Sequence, residues 1–117
     1  MVFEDDPILM EVYELVLENM GFQVHSSSTS HDVIEKVERH HPDLILMDNW
    51  TPNIGGVQAT RLLKGDPRFS KIPVIYISAN TEVHILADNA GADTYLLKPF
   101  DLEDLEEKIL DLGIRLD

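Results

Sequence analysis

The run Leu44-Ile45-Leu46-Met47 ends on an acid, Asp48, with His41-Pro42-Asp43 before it and Pro52 and Gly55-Gly56 after it. An apolar run this short between such breakers reads as a strand buried on both faces. Strands of that kind belong to parallel sheets, whose crossovers are helical. Strand propensity is against an aspartate at the end of the run. In an open parallel sheet, however, ligands bind outside the carboxyl ends of the strands. On local grounds alone, a turn or cap is as good an account of Asp48 as chemistry is. The rest of the chain decides.

Around this run, segments of helical and strand character alternate. Residues 1–3 read as a stub of strand before Glu4-Asp5-Asp6, shorter than a usual strand, and the sequence does not say whether native residues precede Met1. Asp6-Pro7 is a cap followed by proline at the first helical position. Leu9, Val12, Val16 and Met20 then recur at helical spacing until Gly21. Residues 22–25 alternate like a strand, and Ser30 is placed to cap a helix over 32–40 with Val33, Ile34 and Val37 inward. Further on, 57–64 and 82–90 read as helices, and 72–78 and 94–97 as strands. Asp101 opens a last helix with Leu102, Leu105, Ile109 and Leu112 as its inward stripe. Five such alternations call for an α/β fold: a doubly wound, five-stranded parallel sheet covered on both faces, formed by residues 1–117 as one domain.

Charge narrows the function. Twenty-two acidic residues against nine basic ones give a net charge of −13, a surface that repels nucleic acid and suits cations or a basic patch on a partner. Surplus acid also serves plain solubility. Without cysteine there are no disulfides or thiolate metal sites, and no apolar run reaches a membrane span. A cytoplasmic protein is expected. Arg61, Lys64, Arg68 and Lys71 are read as a solvated face, and His25, His31, His40, His41 and His84 as surface residues without zinc spacing.

Four strand ends carry functional groups: Glu4-Asp5, Asp48, Ser78 and Lys98. Each has a bland explanation, but together they fit phosphoryl transfer to a carboxylate. An aspartate is the nucleophile, and Mg²⁺ neutralises the incoming charge. A lysine and a hydroxyl hold the remaining oxygens.

With these residues in hand, the chain resembles the receiver domains of two-component response regulators. The likeness rests on Glu4-Asp5-Asp6, on Met47-Asp48 running to Pro52 and Gly56, on Ser78-Ala79, and on the stretch from Ala90-Gly91-Ala92-Asp93 to Lys98-Pro99-Phe100. It implies a flavodoxin-like three-layer sandwich with strand order 2-1-3-4-5 and a cis Lys98-Pro99 bond. By the same resemblance, Asp48 is the phosphoacceptor, charged from a histidine kinase or phosphotransfer protein. Mg²⁺ is held by Asp5, Asp48 and the carbonyl of Trp50, with Glu4 acting through water. Lys98 pairs with Asp48 and then with the phosphoryl group, while Ser78 and Tyr95 form the switch pair. Trp50 and Asn80 occupy the positions that tune phosphate lifetime. The output is a downstream protein, or a phosphorylation-dependent homodimer, on the face of the fourth helix, fifth strand and fifth helix. Such a chain is a switch rather than an enzyme.

Three rival readings stand beside it. A Mg²⁺-dependent phosphatase of the haloacid dehalogenase type would carry a second acid where Trp50 stands. A receiver-like module that no longer accepts phosphate would not need Asp48 and Lys98 intact. A flavin protein would need a phosphate-cradling loop after the first strand.

Overall fold

The computed structural model describes residues 1–49 and 55–114. In chain order the elements are β1 (Val2–Phe3), α1 (Pro7–Asn19), β2 (Ser26–Ser27), α2 (Val33–His40), β3 (Ile45–Asp48), α3 (Gly55–Lys64), β4 (Val74–Ser78), α4 (Val83–Ala90), β5 (Thr94–Leu97) and α5 (Leu102–Asp111). The strands form one sheet in the order β2-β1-β3-β4-β5, and every pairing is parallel. This is the expected doubly wound order. The Lys98-Pro99 bond is cis, as the family resemblance implies.

Side-chain alternation sorts the core into layers. Val2, Leu46, Ile75, Ile77 and Leu96 face α1 and α5, where Tyr13, Val16, Leu17, Leu105 and Ile109 meet them. Phe3, Ile45, Met47 and Val74 face the other way, against Val33 and Val37 of α2 and Ala59 and Leu63 of α3. Tyr76 packs on Val83 and Ala87 of α4. Asp48 lies two residues beyond Leu46, on the parity that faces α1 and α5.

Several boundaries and phases differ from the expectation. The second strand is Ser26–Ser27 rather than 22–25, because Val2 donates to the carbonyl of His25 (2.8 Å) and pairs with Ser26. The alternation of Phe22 and Val24 instead reflects packing against the α1/α5 layer. Ser30 is buried rather than capping, and the residue at the N-cap of α2 is Asp32, in the left-handed region at φ 54°. On α1 the inward set is Tyr13, Val16 and Leu17, with Leu9 and Met20 only partly covered, so the helix is rotated from the expected stripe. Leu102 is 48% exposed, because the core contact of α5 begins one turn later, at Leu105. Asp6 does cap α1 as expected, with Oδ1 accepting from the N–H of Ile8 at 2.9 Å.

Lys64 is a further correction. Its ammonium is not solvated but donates to the carbonyls of Ser70 (3.1 Å) and Ile72 (2.8 Å) and to Asp93 (2.6 Å). Asp93 also accepts from the N–H of Val74 at 2.8 Å. One lysine thus ties the end of α3 to the starts of β4 and β5.

Gly56 lets α3 start against the end of β3. A Cβ there would stand 2.8 Å from the carbonyl oxygen of Asp48 and 2.9 Å from Cα of Asn49, both backbone atoms that cannot swing away. Gly56→Ala is therefore expected to lower stability by about 1–3 kcal/mol through overpacking, read as a lower urea midpoint. An unchanged midpoint would mean that α3 is free to shift.

Candidate functional site

The carboxyl ends of β1, β3, β4 and β5 lie along one edge of the sheet. The β1 ladder continues into Glu4, whose N–H donates to the carbonyl of Ser27 at 3.0 Å. Glu4 and Asp48 are buried, at 2% and 1% exposure, while Asp5 is open to solvent. Carboxylate oxygens from Glu4, Asp5 and Asp48 lie within 4.8 Å of one another. Lys98 continues the β5 ladder, its N–H donating to the carbonyl of Ser78 at 2.9 Å. Its ammonium is ion-paired with Oδ2 of Asp48 and stands 3.3 Å from Oε1 of Glu4.

Burial decides the protonation of this cluster. It pushes the Glu4 carboxyl up to about 8, helped by its hydrogen bond to Asp48 and by the Asp48 charge; the Asp6 N–H and Lys98 oppose the shift. On Lys98 burial works against the charge, but the hydrogen bond and charge of Asp48, and then Glu4, hold the ammonium above its usual range. One ammonium among three carboxyls leaves the cleft short of positive charge. All the donors are oxygens, which suits a hard divalent cation such as Mg²⁺ rather than a softer ion. The residues present fit Mg²⁺.

A pH prediction follows from the raised Glu4 carboxyl. Its folded value lies above the unfolded 4.5, so the stability it contributes is fully present below 4.5 and is lost as pH rises through about 8. Metal-free protein is expected to lose urea stability over that window, and Mg²⁺ to restore it at pH 8. Because Mg²⁺ competes with the Glu4 proton, its affinity should climb with pH and level off above about 8. Calorimetric titration at several pH values checks this; a flat affinity from pH 6 to 8 would show that Glu4 is ionised before the metal arrives.

Ser78 is fully buried at the end of β4, its Oγ accepting from the N–H of Asn80 at 3.1 Å. Asn80 is exposed, and its Oδ1 accepts from the N–H of Glu82 at 2.8 Å. Tyr95 does not join the acids. The residue is 39% exposed, with the His84 ring 6.2 Å away and the ammonium of Lys108 5.0 Å from its ring centroid. Trp50 lies outside the described residues.

Two tyrosines were not singled out in the sequence. The hydroxyl of Tyr76 donates to Oδ1 of Asn49, the residue after Asp48, and so fixes the chain as it leaves β3. Burial, and then the Asp48 charge, push that hydroxyl up to about 12. Tyr13 is buried and stacks on Phe100, with centroids 5.9 Å apart. Its hydroxyl has no hydrogen-bond partner among the described residues. Burial, then Glu4, Asp48 and Asp6, raise its pKa, which keeps the group protonated. For Tyr76 the signal was a polar atom within an expected buried strand; Tyr13 stood off the expected inward stripe of its helix and gave none.

Fold and site together define a doubly wound α/β protein with a metal-competent acidic cleft at the ends of its strands. The family model described as the response regulator receiver domain matches residues 1–110, and the chain belongs to that family. It is 31% identical over 111 residues to the DNA-binding response regulator MtrA of Mycolicibacterium smegmatis, covering 93% of this chain and 47% of that protein. The polar-differentiation response regulator DivK of Brucella ovis is 30% identical over 113 residues, covering 93% of this chain and 90% of DivK. Among solved structures, the receiver domain of a sensor histidine kinase from Pseudomonas aeruginosa, with a magnesium ion coordinated in its active-site cleft, superposes with a TM-score of 0.86. It is 28% identical, over 97% of this chain and 95% of that one. The chain spans about half the length of MtrA. Among the described residues no helix is long and apolar enough to cross a membrane.

Proposed function

We propose that the chain is a phosphoacceptor switch in which Asp48 takes a phosphoryl group from a phosphohistidine on a kinase or phosphotransfer protein. A carboxylate oxygen of Asp48 attacks phosphorus, an O–P bond forms and the P–N bond to the histidine breaks. The leaving imidazole takes up a proton, and an acyl phosphate remains on Asp48. The observation that carries this reading is the ammonium of Lys98 held against both Asp48 and Glu4 at the strand ends.

Each residue then has a role. Lys98 pairs with Asp48 before transfer and with a phosphoryl oxygen after it. Ser78 turns its hydroxyl from the Asn80 N–H to another of those oxygens. Glu4, Asp5, Asp48 and the carbonyl of Trp50 would hold Mg²⁺, which supplies charge neutralisation of the phosphoryl oxygens. Tyr95 follows Ser78 inward and reshapes the α4-β5-α5 surface, where a downstream protein or a second copy docks. Phosphorylation then selects one of two pre-existing arrangements. On this reading the protein works in the cytoplasm, as a switch rather than an enzyme, and Trp50 and Asn80 set the phosphate lifetime.

The test uses Trp50, the only tryptophan. Its fluorescence is followed while Mg²⁺ and then acetyl phosphate are added, with Asp48→Ala as control. Two successive changes, the second missing in the control, are expected. A response to Mg²⁺ with none to the phosphodonor would favour a receiver-like module that binds metal but no longer accepts phosphate.

A further inference from the structure

We propose that His25 and His40 anchor a second metal site, for a divalent transition ion of the zinc, nickel or copper class, at the opposite end of the sheet from Asp48. His25 leads into β2 and His40 ends α2, yet their rings stack with centroids 4.0 Å apart and planes 22° from parallel. The pair lies in the wall of a cavity of about 300 Å³ that begins at Met1 and Leu44, the amino ends of β1 and β3. His41 and Asp43 line the same cavity.

The chemistry selects the ion. Imidazole suits zinc, nickel and copper, whereas Mg²⁺ keeps to oxygen donors, so the two ends of the sheet sort cations differently. The ligating form of histidine is the neutral one. The in-plane lone pairs of rings this close to parallel do not converge on one point. For both to meet one ion, each turns about its χ2, a broad torsion for histidine, toward the cavity. Among the described residues only the acidic cluster already gathers three donors within 4.8 Å. The histidine pair is therefore a two-ligand anchor, completed by Asp43, His41 or water as the rings open. A bound ion would tie the two-residue edge strand β2 to the end of α2.

The experiment titrates Zn²⁺ alone into the full chain by calorimetry and repeats it with His25→Phe and His40→Phe. Phenylalanine keeps the stacked ring and removes the ligating nitrogen, so loss of packing does not mimic loss of a ligand. Wild type is expected to bind, with a melting temperature that rises with Zn²⁺. Each phenylalanine variant should bind about 10-fold more weakly or worse, since even outer-shell partners of a metal are worth 10–100-fold. His84→Ala, on α4, should bind as wild type does. Zn²⁺ affinity unchanged in both phenylalanine variants would overturn the proposal, and so would no Zn²⁺ binding by wild type.

Discussion

Asp48→Asn is expected to take up no phosphoryl group from acetyl phosphate in the presence of Mg²⁺, while wild type gains one, as read by intact-protein mass. Asparagine keeps the shape and burial of the side chain but has no anionic oxygen with which to attack phosphorus. The fold should survive, because the substitution leaves Glu4 facing Lys98 as a one-to-one pair (3.3 Å) and removes the carboxylate whose charge and hydrogen bond hold the Glu4 proton. Urea unfolding of metal-free Asp48→Asn at pH 8 should therefore lie at or above that of wild type. Labelling of the variant to the wild-type level would place the acceptor elsewhere and end the proposed function.

Lys98→Met should have the largest effect on stability. The ammonium is the counter-charge to two carboxyls that are almost wholly buried. Removing one partner of such a pair strands the other charge, a loss of 3–5 kcal/mol when burial is complete. Lys98 retains 21% side-chain exposure, which places the expected loss at about 3 kcal/mol at pH 8 without metal. Mg²⁺ should recover part of it, and so should acid, as Glu4 takes up its proton. A metal-free variant as stable as wild type at pH 8 would show that solvent already screens the cleft.

How much of this was legible follows from what each signal records. The Leu44–Met47 run, the breaks at Gly21, Gly91 and Pro42, and an acid, a hydroxyl or an ammonium at four of the five strand ends are local facts. They require only that burial and turns leave their mark on neighbouring residues. The stretch ending Lys98-Pro99-Phe100 carried the family. Helix phase was less legible. On α1 several apolar positions compete for the inner face, and Tyr13 and Leu17 take it within the cluster that Val2, Leu46, Leu105 and Ile109 complete. β2 was displaced because a two-residue strand has too little pattern of its own and takes its register from β1.

By itself, the sequence determined the alternation of strands and helices, and which chemical groups stand at the strand ends, because backbone period and breakers are written residue by residue. Only the tertiary structure decided which of those groups touch. Lys98 reaches Glu4 across 94 positions, Lys64 turns inward to close on Asp93, and His25 meets His40 across a helix and a loop. Such contacts depend on how parallel crossovers return the chain to one edge of the sheet, and nothing in the spacing of the residues themselves encodes the distance between their side chains.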